Sequence, residues 1–452
     1  MKKIVLVLMF LTGVVFTTFG QTASDFVTRV NNGQITITGY NGTVRDVIIP
    51  EQINGMPVVA IGDAAFMGKG LTRVTIPNSV TTIGSNAFRS NQLISVTIGN
   101  SVTTIGLYAF ANNQLTSVTI PDSVTTIGAN PFVDNSLVNI SISSGNTAYT
   151  TRDSFLISRD GTQLILYYGN ERTVIIPDGI TTIGIAAFVN KQLTNVTLPN
   201  SVIMIENSAF LNNQLTSVTI GSSVTTIGNH SFENNQLTNV VIPNSVTTIG
   251  GAAFPGNQLT SINIPDSVVT IGVNAFSNNQ LTSVTIPDSV RVIGGNPFVN
   301  NPLTNVSVSP DNTAYITRDF FLMSRDGTQL IMYYGNEKTI TIPNGITTIA
   351  FAAFLENQLT SVTISDSVTT IEPMAFANNQ LTIITIPNSV TTIGNAAFYD
   401  NQLTIVSIGA NVRLTNSFND GFEEAYNNSG RQAGIYTRAD TDTRAWVVWS
   451  RR

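Results

Sequence analysis

Apolar and polar positions along this chain form a pattern that returns every 22 residues. Phe66, Phe88, Phe110 and Phe132 mark the first run. After a gap of 56 residues the ladder resumes at Phe188, Phe210, Phe232, Phe254, Phe276 and Phe298, and after a second gap of 56 at Phe354, Phe376 and Phe398. One coil reads Leu115-Thr-Ser-Val118-Thr-Ile120-Pro-Asp-Ser-Val124-Thr-Thr-Ile127-Gly. Val118 and Ile120 alternate with Ser117 and Thr119, the period of two that predicts a short strand with one buried face. Pro121 ends that strand because it has no N–H to give to a ladder. Val124 and Ile127 form a second apolar pair, Gly128 lets the chain bend, and the next Phe fills the far corner. A single coil cannot bury these side chains, so successive coils must stack and share one core. At a strand spacing of ~4.8 Å, roughly 17 coils give a parallel sheet on the order of 80 Å long.

The third place after the ladder Phe is Asn in most coils: Asn91, Asn113, Asn213, Asn235, Asn257, Asn279 and Asn379. Buried turn amides need partners, and a stacked Asn column supplies them, so this column reads as structural. The acids Asp122, Asp266, Asp288 and Asp366 share the turn after the strand with Asn78, Asn244 and Asn388 and read as turn formers.

The run from Leu115 to Gly128, closed by Ala-Phe in most coils, resembles the bacterial-surface-protein-A (BspA-like) type of leucine-rich repeat, over approximately residues 40–410. The resemblance implies a curved solenoid on secreted or surface proteins of host-associated bacteria, spirochaetes among them, with roles in adhesion to matrix, host cells or other bacteria. That family often has Cys where this chain has its Asn column, and commonly a slightly longer coil. The fold expected is a mostly β leucine-rich-repeat solenoid of stacked 22-residue coils with one long parallel sheet, two hairpin insertions and irregular caps.

The insertions fill the two gaps, at about 143–172 and 309–338. Asn146 to Tyr149, Arg152-Asp153, Ser158 to Gly161 and Tyr167 to Glu171 recur 166 residues later as Asn312 to Tyr315, Arg318-Asp319, Ser324 to Gly327 and Tyr333 to Glu337. Apolar runs at 155–157 and 164–166 flank an Asp-Gly pair, a strong hairpin signal. Around the array at 61–410, residues 21–60 read as an N-terminal cap with strand patterning at Ile35 and Ile37. Residues 411–452 read either as a C-terminal cap or as an envelope-docking segment: Phe418, Phe422 and Tyr426 fit a short helix, and Tyr436 and 445–449 fit strands.

Composition narrows the function. Charged residues make up only 11% of the chain, against roughly 25% in average soluble proteins. The net charge of −6 and the lack of a basic stripe argue against nucleic-acid binding. Lys2 and Lys3, an apolar run from Ile4 to Phe19, and small Thr18 and Gly20 before Gln21 read as a signal peptide, 1–20, removed on export. The expected location is the cell surface or the extracellular space, with the periplasm as the alternative, and no transmembrane segment is expected in the mature chain. The chain has no cysteine, so disulfides and a lipid-modified N-terminal cysteine are not expected.

Catalytic chemistry finds few residues to carry it. His230 is the single histidine and sits in a polar turn, so nucleophilic triads and most zinc sites lack their ligands. Asp440 and Asp442 suggest calcium, but the glycine and glutamate of an EF-hand loop are absent. No enzyme activity, cofactor or metal is expected. The solvent side of the strand ladder is hydroxylic: Ser117/Thr119, Ser217/Thr219 and Ser283/Thr285 are representative. Such a face suits solvated strands, repeated weak bonds to an extended protein or glycan, or an ice-binding threonine array. Tyr167, Tyr168, Tyr333 and Tyr334, with Arg159 and Arg325, are residue types that carry interface energy, unless the tyrosines cover the hairpins' apolar side. These features lead to an adhesin-like binding protein whose partners are matrix or host-cell proteins, glycans or other bacteria. The first rival is a structural envelope or matrix protein without a host ligand, and the second a polysaccharide-acting enzyme.

Overall fold

A computed structural model of the chain describes residues 21–418, 421–439, 441 and 446–449, with only the backbone of Trp449. The signal-peptide residues 1–20 and the acids Asp440 and Asp442 lie outside the described residues. The chain divides into two units, Met1–Thr151 and Arg152–Arg452.

In the first unit, strands Asp46–Ile48, Arg73–Thr75 and Ser95–Thr97 pair in parallel, as do Ser117–Ile120 and Asn139–Ile142. Each partner lies one coil away, as Ser95 does from Arg73. On the other side of the coil, Met56–Ile61, Thr82–Ile83, Thr104–Ile105 and Thr126–Ile127 form a second parallel ladder. The second unit repeats this scheme and shows which ladder is the longer. From Gln163–Tyr167 the Thr-Ile ladder runs without a break to Val292–Ile293. The Ser-Val-Thr ladder pairs from Thr173–Ile175 to Ser217–Thr219, has no strand in the coils around Val240 and Ile262, and resumes at Ser283–Ile286. The parallel stacking expected of the coils is therefore present, with its longest hydrogen-bonded run on the segment read from sequence only as a second apolar pair.

A glycine explains that continuity. A Cβ on Gly272 would run into the backbone of Gly250 and Gly251 in the preceding coil. Glycine at this place lets neighbouring backbones touch, and Gly250 N–H donates to Ile227 O and Gly272 N–H to Ile249 O, each at 2.8 Å.

The ladder phenylalanines line up inside. Phe210, Phe232, Phe254 and Phe276 are fully buried, and their rings stack at 5.1, 5.2 and 5.5 Å between centroids. The Asn column bonds one coil to the next. Asn235 Nδ2 donates to Phe210 O at 3.0 Å and to Phe232 O at 3.1 Å, while its Oδ1 accepts from Leu215 N–H at 3.0 Å. One amide thus satisfies backbone groups on two coils that no ladder reaches.

Three hairpins of one design start the coil runs. Phe26–Asn31 pairs with Gln34–Tyr40, Phe155–Ser158 with Gln163–Tyr167, and Phe321–Ser324 with Gln329–Tyr333, all antiparallel with a bulge at the same place. In each, a Phe faces a Tyr across the pair: Phe26 and Tyr40, Phe155 and Tyr167, Phe321 and Tyr333. That Tyr then packs on the first ladder ring, Phe66, Phe188 or Phe354. Its hydroxyl pins the turn that follows: Tyr40 donates to Val44 O at 3.1 Å, and Glu171 and Glu337 N–H donate to Tyr167 and Tyr333 at 3.1 and 3.0 Å. Gly42, Gly169 and Gly335 lie over these rings, where a Cβ would strike the phenol oxygen. The hairpin Phe26–Tyr40 is accordingly the same module as the two later hairpins.

The third hairpin is a partition in the second unit's core. Leu322, Ile331 and Met332 belong to the cluster that runs on from Phe155, whereas Phe321, Met323, Leu330 and Tyr333 belong to the cluster that runs on to Trp446. Alternation along a strand puts successive side chains on opposite faces, and the bulge at Ile331 keeps it on the same side as Met332, so one hairpin closes one core and opens the next. At the chain's far end, the helix Phe422–Asn428 and the strands Gly434–Thr437 and Val447–Trp449 cover the last coil. Phe418, Phe422, Tyr426, Tyr436 and Trp446 are buried in that end of the core.

Candidate binding surfaces

The hydroxyls of the strand face point to solvent. Ser117, Thr119, Ser217, Thr219, Ser283 and Thr285 are all exposed, while Val118 and Val284 between them are buried. Parallel register puts like on like: Ser217 pairs with Asn195, Thr219 with Thr197, and Ser283 with Asn305. Thr285 Oγ1 lies 2.9 Å from Ser307 Oγ one coil away. Within each paired stretch the result is a row of short donors and acceptors whose backbone is already paired and whose side chains carry no charge.

The tyrosines fall elsewhere. Tyr167, Tyr168 and Tyr333 are 3%, 9% and 4% exposed, and Tyr334 is half-buried. Burial pushes the phenols of Tyr167 and Tyr333 above the usual range, so both stay neutral inside. This corrects the expectation of exposed tyrosine anchors at Tyr167, Tyr168 and Tyr333. Both faces of the hairpin are covered, so neighbouring residues that point opposite ways are both interior. Arg159 and Arg325 remain exposed at the hairpin turns. There Asp160 and Asp326 accept bonds from Ser158 and Ser324 at 2.5 and 2.6 Å and from their own loops, which lowers both carboxyls below the usual range.

The remaining polar residues serve turns. Asp122 Oδ1 accepts from Gly145 N–H at 2.9 Å, and Asn78 Oδ1 accepts from Asn100 N–H at 2.7 Å in the same place of another coil. Acid and amide exchange freely here because only the acceptor oxygen is used. His230 Nδ1 lies 2.6 Å from Glu233 Oε2 at an exposed corner. Among the described residues, no group of three or more His, Asp or Glu side chains is placed to hold a metal ion. No helix among them is long and apolar enough to cross a membrane.

Sequence patterning missed two residues, Phe320 and Asn357. Phe320 is 52% exposed, and its backbone is left-handed at φ +62°. Its signal was available: the matching turn of the preceding hairpin has Ser154.

The family model of the BspA-type leucine-rich-repeat region, in six copies, matches residues 40–158, 165–278, 252–337 and 327–425. No curated protein matches the chain. Among solved structures, the pneumococcal vaccine antigen PcpA is 21% identical, with 60% of this chain and 86% of that chain covered and a TM-score of 0.49. A leucine-rich-repeat protein from Eubacterium ventriosum is 23% identical, with 60% and 73% covered and a TM-score of 0.43. A leucine-rich cell-surface protein from Faecalibacterium prausnitzii is 24% identical, with 65% and 95% covered and a TM-score of 0.35.

Proposed function

Because the chain belongs to the BspA-type leucine-rich-repeat family, we propose that it is an exported, surface-displayed binding protein of adhesin type, holding macromolecules of a host or a neighbouring cell against its hydroxylic strand face. The observation that carries this reading is the register of that face. Ser and Asn recur one coil apart in two paired stretches, half-buried Asn195 with exposed Ser217, and exposed Ser283 with Asn305, with their backbones fixed. Each side chain offers one weak hydrogen bond, and repetition along a rigid row turns weak bonds into usable avidity. The signal-peptide pattern at 1–20 supports export, and the low charge suits a surface that recognises by hydrogen bonding.

Residues 21–452, immobilised, should bind fibronectin, fibrinogen or intact host cells saturably. A Thr219→Glu/Thr285→Glu variant, which places charge on two exposed strand positions, should weaken that binding about tenfold or more with its thermal midpoint unchanged. Binding that the double variant leaves intact would remove the strand face from the reading. Silence toward all of these partners, together with concentration-dependent self-assembly, would replace adhesion with a structural role in the envelope.

A further inference from the structure

The hairpin at Phe321–Tyr333 departs from its earlier copy in two ways, one beside a cleft and one in its lining. The first is the turn before it. Asp319 and Phe320 both have left-handed backbones, as do Asp153 and Ser154 in the copy. Serine tolerates that conformation better than a bulky aromatic does, and an exposed ring gains no burial. Phe320 nonetheless stands there, edge-on to Tyr334 with ring centroids 5.7 Å apart.

The second departure is Asn357. It holds the Asn-column place three residues after Phe354, but twenty residues earlier lies Glu337 of the hairpin rather than the Leu of a coil. Its Oδ1 is buried without a hydrogen-bond partner. The other two first coils have Lys69 and Lys191 at this place, so the chain has a ready alternative that it does not use here. An unsatisfied buried amide calls for an explanation.

Tyr334 and Asn357 line the same cleft, of about 340 Å³, between the coil of Phe298 and the first coil after the hairpin. Asn300, Asn336, Lys338, Glu356 and Gln358 are among its polar lining residues. We propose that this cleft binds a neutral saccharide, with a sugar ring against Tyr334, which Phe320 backs edge-on from outside the cleft, and its hydroxyls on the surrounding carboxamides. A side-chain amide offers a donor and an acceptor side by side, which matches the paired donor and acceptor character of adjacent sugar hydroxyls, and the C–H face of the ring packs on an aromatic face. Asn357 lines the cleft, so a turn of its amide toward a sugar hydroxyl would give Oδ1 the partner it lacks. An anion is a poorer fit, since the Lys338 ammonium is engaged by Gln358 Oε1 at 2.8 Å. An apolar ligand would leave the amides unpaired. The volume lies at the low end for ligand pockets and suits one or two sugar rings. This site is separate from the strand face and does not depend on it.

The test uses residues 21–452 and titrates cellobiose, laminaribiose, chitobiose, maltose and lactose by calorimetry, with a proline-rich peptide and inorganic phosphate as comparison probes. At least one disaccharide should bind. Phe320→Ser and Asn357→Lys, which install the residues of the other copy, should each weaken it about tenfold or more. Their thermal midpoints should equal or exceed that of the wild type, which separates lost contacts from lost folding. Thr219→Glu/Thr285→Glu should leave the disaccharide affinity unchanged. Absence of binding by every disaccharide at millimolar concentrations, preference for the peptide or phosphate, or affinity insensitive to both cleft variants would each overturn the proposal.

Discussion

Phe232→Ala should lower the stability of its coil run by about 3–5 kcal/mol, the usual cost of emptying a buried aromatic site. Phe232 is fully buried, with Phe210 and Phe254 stacked against its two faces at 5.1 and 5.2 Å. A lost ring therefore leaves contacts missing on both sides, and neighbouring coils held by backbone ladders have little room to close the gap. The Asn column fixes their spacing independently, because Asn235 and Asn257 both bond to Phe232 O. Urea denaturation followed by far-ultraviolet circular dichroism measures the loss. In a repeat protein, where each coil contacts only its neighbours, the variant should also broaden the transition as the run on either side uncouples. A midpoint equal to that of the wild type would mean that the ring is not a load on the core.

Asn235→Leu should rival that effect although it keeps the branched shape and heavy-atom count of the side chain. The amide joins Leu215 N–H, Phe210 O and Phe232 O, and Asn235 is itself only 6% exposed. Leucine strands those backbone groups away from water, at about 1–3 kcal/mol for each group left unmade. Because they share one site the costs do not add fully, and a total of roughly 3–6 kcal/mol is expected. The same denaturation measurement applies. A loss under about 1 kcal/mol would show that water replaces the amide without penalty.

The coil architecture was legible because a period of 22 leaves each position with one role: Phe at the corner, Asn in the turn, Val and Ile inward, Ser and Thr outward. The Thr-Ile ladder was less so, since a two-residue strand such as Thr248–Ile249 is too short to show alternation. The kinship of the N-terminal hairpin with the later two was hidden by its outer face. Thr38 and Gly39 stand where Ile165 and Leu166, and Ile331 and Met332, stand in the other hairpins. Those later pairs are buried, whereas Thr38 is exposed and Gly39 half-buried, so selection for burial and selection for solvent wrote different letters into one shape. The tyrosines misled for a related reason. Alternation shows that Tyr167 and Tyr168 face opposite ways, but not that both ways are covered. The cleft escaped because it depends on a coil that is not there: Asn357 looks like every other column residue until its missing neighbour is known.

Everything proposed for the strand face requires that positions one period apart stand in a single exposed row. Spin labels at Ser217→Cys and Asn305→Cys, in a chain with no native cysteine, measure this directly by pulsed electron resonance. The two sites are four coils apart, which corresponds to roughly 20 Å at strand spacing, and a narrow distribution near that distance is the expected result. A distance beyond about 30 Å, or a broad spread, would be incompatible with strand-spaced stacking and would contradict both the coil stack and the binding row built on it.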